Sequence, residues 1–94
     1  MDNIIKFHKS FDVLWNYRLE NMRIFTEDMH QIILHLGVCD YHIDKSGITL
    51  IDYEFIKELM ERSQDFINKN ELIKKHFNIC WNIIEAFILM EKLI

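Results

Sequence analysis

The chain has 94 residues, enough for one domain with one core. Half of them are hydrophobic, seven are Phe, and the net charge is −4 with acids and bases interspersed. That balance excludes the polybasic footprint of a nonspecific nucleic-acid binder, and no apolar run reaches the roughly 20 residues of a membrane span.

The start, Met1-Asp2-Asn3-Ile4-Ile5-Lys6, lacks a signal-peptide pattern, and Cys39 and Cys80 read as reduced core thiols, so a soluble cytoplasmic protein is expected. A domain this small buries only roughly 60–70 % of the surface its unfolded chain exposes. So much apolar material predicts an exposed patch, and such patches mark partner surfaces. The expectation is a binding protein, a homodimer when free. A well-filled core with scattered surface apolars is the alternative.

From Asn3 to Leu36 there is neither Gly nor Pro. Ile4, Phe7, Phe11, Leu14 and Trp15 form a helical stripe that continues through Met22, Phe25, Met29, Ile32 and Leu36. One long helix is admissible. Two are favoured, because Thr26 reads as an N-cap with Glu27 and Asp28 as first-turn acids. Gly37 is predicted to stop the second helix as a left-handed cap. Residues 38–51 are the least regular. Asp44-Lys45-Ser46-Gly47 is a turn signal. Around it, Tyr41 to Ile43 and Ile48 to Ile51 either pair as a hairpin or form a loop entering a helix near Thr49 or Asp52.

Phe55, Ile56, Leu59 and Met60 give helical spacing over 52–62. Ser63 to Asn70 reads as a polar break with Phe66 and Ile67 turned inward. Glu71 to Leu93 carries the strongest pattern, with Ile73, Phe77, Cys80, Ile84 and Phe87 on one face and Leu72, Trp81 and Ile88 beside them. Asn68 with Glu71 reads as a capping box, and Asn70 is a second candidate cap. The apolar face is broad, which predicts a central position. The predicted fold is all-α: a small compact bundle of about four to six helices over 1–94, with a short hairpin or irregular loop in the middle.

Two His-x-x-x-Cys pairs, His35 with Cys39 and His76 with Cys80, offer a four-ligand zinc set. Against it, Gly37 is expected to break the first pair's helix and Cys80 lies on the buried stripe, so no metal or other cofactor is predicted. Asp44-Lys45-Ser46-Gly47 fails the ligand register of a calcium-binding EF-hand loop. His8, His30, His42 and the acids show no nucleophile–base spacing, and no phosphate-cradling Gly loop is present, so no enzyme is predicted. The N-terminal stripe of Phe7, Phe11 and Trp15 is either core cover for the last helix or a set of interface anchors. The excess of apolar residues favours the interface.

The last helix carries Phe77-Asn78-x-x-Trp81-x-x-Ile84-x-x-Phe87-Ile88-x-Met90. This run resembles the C-terminal helix of the AsiA family, the anti-sigma proteins of T-even bacteriophages. Leu72-Ile73 upstream matches a Leu-Ile pair of the family, with one more residue before the Phe. A second block, Gly47-x-x-Leu50-x-x-x-x-Phe55-x-Lys57, has the spacing of the family's middle segment. A third, Leu36-Gly37-Val38, stands where the family has Ile-Gly-Val. The N-terminal helices align without a gap, Leu14 matching outright. The loop after Gly37 is longer here, extra residues fall between Phe55 and Phe77, and Phe11 and Trp15 are bulkier than their counterparts.

The resemblance implies a small helical protein that binds region 4 of the bacterial primary sigma factor, the helix-turn-helix that reads the −35 promoter element. It implies that binding blocks contacts with DNA and with the polymerase β-flap, and that a phage activator helps redirect RNA polymerase. It implies self-association through the apolar N-terminal face, and no sequence-specific DNA binding by the protein itself. By matching position, the sigma-facing and dimer-facing surface would comprise Phe7, Ser10, Val13, Leu14, Tyr17, Ile32 and Leu36. Asn78 would lie where the C-terminal helix approaches polymerase or activator. On this assignment Leu14→Asp abolishes sigma binding and leaves a folded monomer. The residues alone ask only for an apolar helical face, mild acidity and no active site. They leave open another phage-encoded inhibitor of a host protein, a metal-binding helical bundle and a structural homodimer.

Overall fold

The structure is a computed structural model that describes residues 2–92, and for 91 and 92 the backbone alone; Leu93, predicted at the end of the last helix, lies outside the described residues. Five α-helices follow one another: α1 (Asp2–Glu20), α2 (Glu27–His42), α3 (Leu50–Arg62), α4 (Gln64–Lys69) and α5 (Glu71–Lys92). A single 3₁₀ turn, Met22–Ile24, joins α1 to α2, and the described residues contain no strand. None of these helices is long and apolar enough to cross a membrane.

Each junction has a local chemical cause. The Asn21 side chain donates to the Tyr17 carbonyl at 2.9 Å, closing the open end of α1. Thr26 Oγ1 then accepts from the Met29 N–H at 3.1 Å, with Glu27 and Asp28 in the first turn, so α2 starts where its cap signal lies.

Gly37 does not stop α2, which runs unbroken to His42. The glycine permits a close approach instead. A Cβ there would stand 3.1 Å from Cζ of Phe11, whose ring lies across the helix backbone at that point. The left-handed glycine is Gly47, with φ 77°. The N–H groups of Lys45, Ser46 and Gly47 all donate to the His42 carbonyl, at 2.9, 3.0 and 3.0 Å, and close the C-terminus of α2.

The segment after this turn is the loop of the two alternatives, not the hairpin. Ile43 and Ile48 are buried on either side of the turn, and Thr49 at once caps α3. Thr49 and Asp52 form a capping box: Thr49 Oγ1 accepts from the Asp52 N–H at 3.2 Å, and Asp52 Oδ2 accepts from the Thr49 N–H at 3.0 Å. Tyr41 and His42 belong to α2 and Leu50 and Ile51 to α3, which leaves too little chain for paired strands.

Asn70, not Asn68, caps α5, its Oδ1 accepting from the Ile73 N–H at 3.1 Å. Asn68 is exposed within α4, which occupies most of the predicted polar break and turns Ile67 into the core. The Asn70 amide also donates to the Tyr17 hydroxyl at 2.7 Å, tying this junction to α1.

The broad face of α5 lies against α1, α3 and α4, while α2 packs on α1 and α3. Ile73, Phe77, Cys80 and Ile84 of α5 are fully buried, and Tyr53 of α3 stacks on Trp81 with ring centroids 5.1 Å apart. Burying each such aliphatic or aromatic side chain contributes about 1.5–3 kcal/mol relative to leaving it in water. That driving force draws α1 onto α5 within one chain.

Candidate functional site

The eight residues predicted as a partner surface part into two groups. Phe7, Leu14, Ile32 and Leu36 are at most 1 % exposed in the single chain, and Ser10 is buried with them. For these five the surface assignment is corrected: they are interior. Phe7, Ser10 and Leu14 lie on α1, which covers α5, and Ile32 and Leu36 lie on α2, which packs on α1 and α3. The Cys80 thiol donates to the Phe7 carbonyl at 3.8 Å, and Ser10 Oγ lies 3.3 Å from His76 Nδ1. Val13 and Tyr17 are half-buried. Tyr17 is held by Asn70 at its hydroxyl and by Phe25 at its ring, with centroids 6.1 Å apart. Asn78 is exposed.

One set of outward apolar side chains joins the two half-buried aromatics of the predicted stripe, Phe11 and Trp15, to exposed residues of α2. Phe11 and Trp15 of α1 and Leu34, Val38 and Tyr41 of α2 line a shallow groove of about 600 Å³, with Gly37 in its floor and Asp12 and His42 at its rim. Leu34, Val38 and Tyr41 are 41 %, 45 % and 64 % exposed, and together they make one outward apolar flank of α2. The rings of Phe11 and Trp15 stand 6.0 Å apart, and the Arg18 guanidinium lies 5.0 Å over Trp15. Arg18 is fixed in turn by its Nε, which donates to His30 Nδ1 at 2.9 Å. Gly37 explains the shape. Without a Cβ at that position the Phe11 ring seats against the α2 backbone and becomes groove floor.

On another face of α2 the chain gathers potential metal ligands. Because the helix is continuous through Gly37, His35 and Cys39 stay in register, one turn apart. Asp52, in the first turn of α3, completes a trio whose ligand atoms all lie within 4.8 Å of one another. Asp52 Oδ1 is 2.8 Å from His35 Nε2, and since a carboxylate only accepts, the imidazole carries its proton on Nε2. Asp52 Oδ2 is occupied separately, accepting from the backbone N–H and the hydroxyl of Thr49. Burial pushes the Asp52 carboxyl up, but hydrogen bonds from the Thr49 backbone, His35 and the Thr49 hydroxyl outweigh it and hold it below its usual range. Burial, with the charges of Asp52 and Asp40, pushes the Cys39 thiol up to about 12.

The second His-x-x-x-Cys pair does not join the first. His76 faces Ser10, and burial and then Lys75 lower its pKa. Cys80 is turned to the Phe7 backbone, and burial pushes its thiol up to about 12. Asp52 was missed as a ligand candidate because it lies on a different helix from the His35–Cys39 pair, and only the packing of α3 on α2 brings it there. Comparison of the chain with protein-family models, with curated protein sequences and with solved structures gives no match.

Proposed function

We propose that this chain is a phage-type anti-sigma factor, which binds region 4 of a bacterial primary sigma factor, blocks −35 recognition and redirects RNA polymerase. The observation that carries the reading is the outward groove of Phe11, Trp15, Leu34, Val38 and Tyr41 between α1 and α2. The AsiA-like blocks at Leu36-Gly37-Val38, Gly47 to Lys57 and Phe77 to Met90 name the partner. Region 4 is a helical element, and an apolar groove between two helices suits an amphipathic helix laid into it. Aromatic anchors at the centre supply the affinity. Asp12 and Glu20, both exposed, set the encounter with a basic partner. The seat thus moves from the buried stripe to the adjoining groove. Without sigma, the same groove pairs two copies of the chain, and the β-flap and activator contacts fall to the Asn78 side of α5.

The test is capture of purified sigma region 4 by the tagged full-length chain. Wild-type protein is expected to retain it, and to bring down RNA polymerase from a bacterial extract. Val38→Glu, an exposed position in the groove, should keep the melting curve and weaken capture by at least about tenfold, as loss of a central anchor does. Failure of the wild-type chain to capture region 4, or undiminished capture by Val38→Glu, overturns the reading.

A further inference from the structure

We propose that His35, Cys39 and Asp52 form a Zn²⁺ site at the α2–α3 junction, with the fourth coordination position open to water. This inference does not rest on sigma binding. Its basis is that three side chains of different chemistry, from two helices, converge to within 4.8 Å. One imidazole nitrogen, one thiolate sulfur and one carboxylate oxygen make a donor set that suits zinc, and the two anionic ligands neutralise the ion's charge in a partly buried place.

The geometry is near that of a tetrahedral ion. Zinc–ligand bonds of about 2.0–2.3 Å at tetrahedral angles place the donor atoms roughly 3.4–3.6 Å apart. His35 and Asp52 are closer than this, at 2.8 Å, and must open slightly, while the thiol comes in from the floor. The side chains of His35 and Asp52 are 22 % and 16 % exposed, so they form the mouth through which an ion and a water enter. Cys39, buried, forms the bottom.

The surroundings already hold the ligands in place. Asp52 binds through Oδ1 while Oδ2 stays in the capping box with Thr49, so the helix cap orients the carboxylate as an outer hydrogen bond orients a metal ligand. His35 packs its ring on Phe55, with centroids 4.7 Å apart, which limits its rotation. On binding, the His35–Asp52 hydrogen bond breaks and the imidazole proton moves to Nδ1, freeing the Nε2 lone pair. The thiol proton of Cys39 passes to solvent. One S–H bond is lost, three bonds to the metal form, and nothing is oxidised or reduced.

Full-length protein, stripped with a chelator and kept reduced, is titrated with Co²⁺ as the spectroscopic stand-in for zinc. The expected result is a saturable thiolate-to-cobalt charge-transfer band at one ion per chain, displaced by added Zn²⁺, with a melting temperature that rises with zinc concentration. His35→Gln, at a partly exposed position, should keep the helical circular dichroism and lose at least about tenfold in cobalt affinity. Cys39→Ser should lose the charge-transfer band. His76→Ala, outside the trio, should leave both affinity and band unchanged. No saturable band in the wild-type chain, a band that persists in Cys39→Ser, or His35→Gln with wild-type affinity each overturns the site.

Discussion

Leu14 separates the two placements of the N-terminal face. In the folded chain it is 1 % exposed, on the side of α1 that covers α5. Truncating a fully buried leucine costs about 2–5 kcal/mol, because transfer energy is lost and the site collapses only in part. Taking about 3 kcal/mol, and about 4–8 °C per kcal/mol for a domain of this size, Leu14→Ala should melt roughly 12–24 °C below the parent. Leu14→Asp adds the burial of a carboxylate with nothing to pair it, several kcal/mol more. Against a total stability of about 5–15 kcal/mol, the native state of that variant should be largely lost. Thermal and urea melts followed by far-ultraviolet circular dichroism measure both, with Val38→Asp as an exposed control expected within about 0.5 kcal/mol of the parent. If Leu14→Asp instead melts cooperatively at the parent's temperature, Leu14 is a surface residue in solution. The open N-terminal face implied by the AsiA resemblance would then be restored.

Other consequences are read in the same way. Gly37→Ala sets a gain of about 1 kcal/mol in helix propensity against a shift of the Phe11 ring by a few tenths of an ångström. Phe11 is half-buried beside open groove and can yield, so a small rise in melting temperature is expected; a fall would show that the Phe11 ring cannot move aside and that the close approach needs glycine. Thr49→Ala removes the cap of α3 and should cost about 1 kcal/mol in urea denaturation. His8 lies 2.7 Å from Asp40, whose hydrogen bond and charge raise its pKa above the ordinary 6.5. Its stabilising contribution is complete below pH 6.5 and is lost as pH rises through the raised folded value. Proton-resolved titration of His8 should show this displacement, shrinking in high salt because the side chain is exposed, and Asp40→Asn should remove most of it, leaving the smaller effect of Asp12 and Asp44.

What could be read in the sequence was what neighbouring residues decide between themselves. Thr26 with Glu27 and Asp28 fixed the break between α1 and α2, because a hydroxyl facing open N–H groups needs only the next turn to act. The last helix was visible for the same reason, its stripe being periodic and uninterrupted. Gly37 was misread because a glycine is permitted by two different demands, a left-handed cap or the approach of another chain segment. Only the tertiary position of Phe11, far back in α1, chooses between them. Asn68 and Asn70 both had acceptable spacing, and the choice fell to Asn70, whose amide also reaches Tyr17.

The partner face was misplaced for a reason of the same kind. An amphipathic stripe states that a face is hidden, and says nothing of which chain hides it. Phe7, Leu14 and Leu36 are hidden by their own chain.

The continuity of α2 underlies both proposed sites. At about 100° per residue, Leu34, Val38 and Tyr41 fall on one flank, His35 and Cys39 on a second, and Ile32 and Leu36 on the core face beyond the second flank. Each outward set spans Gly37: the groove needs Leu34 aligned with Val38, and the ligand trio needs His35 aligned with Cys39. A break at the glycine would turn residues 38–42 out of phase with residues 27–36 and dismantle both. The groove opens beside α1 and the trio beside α3, but His35 and Val38 are neighbours one turn apart on α2, so the clean separation is between Trp15 of α1, which lines only the groove, and Cys39, buried at the bottom of the trio. Sigma capture and cobalt binding should therefore respond to separate substitutions, so the loss of one leaves the other intact as a measurement of whether α2 remains a single helix.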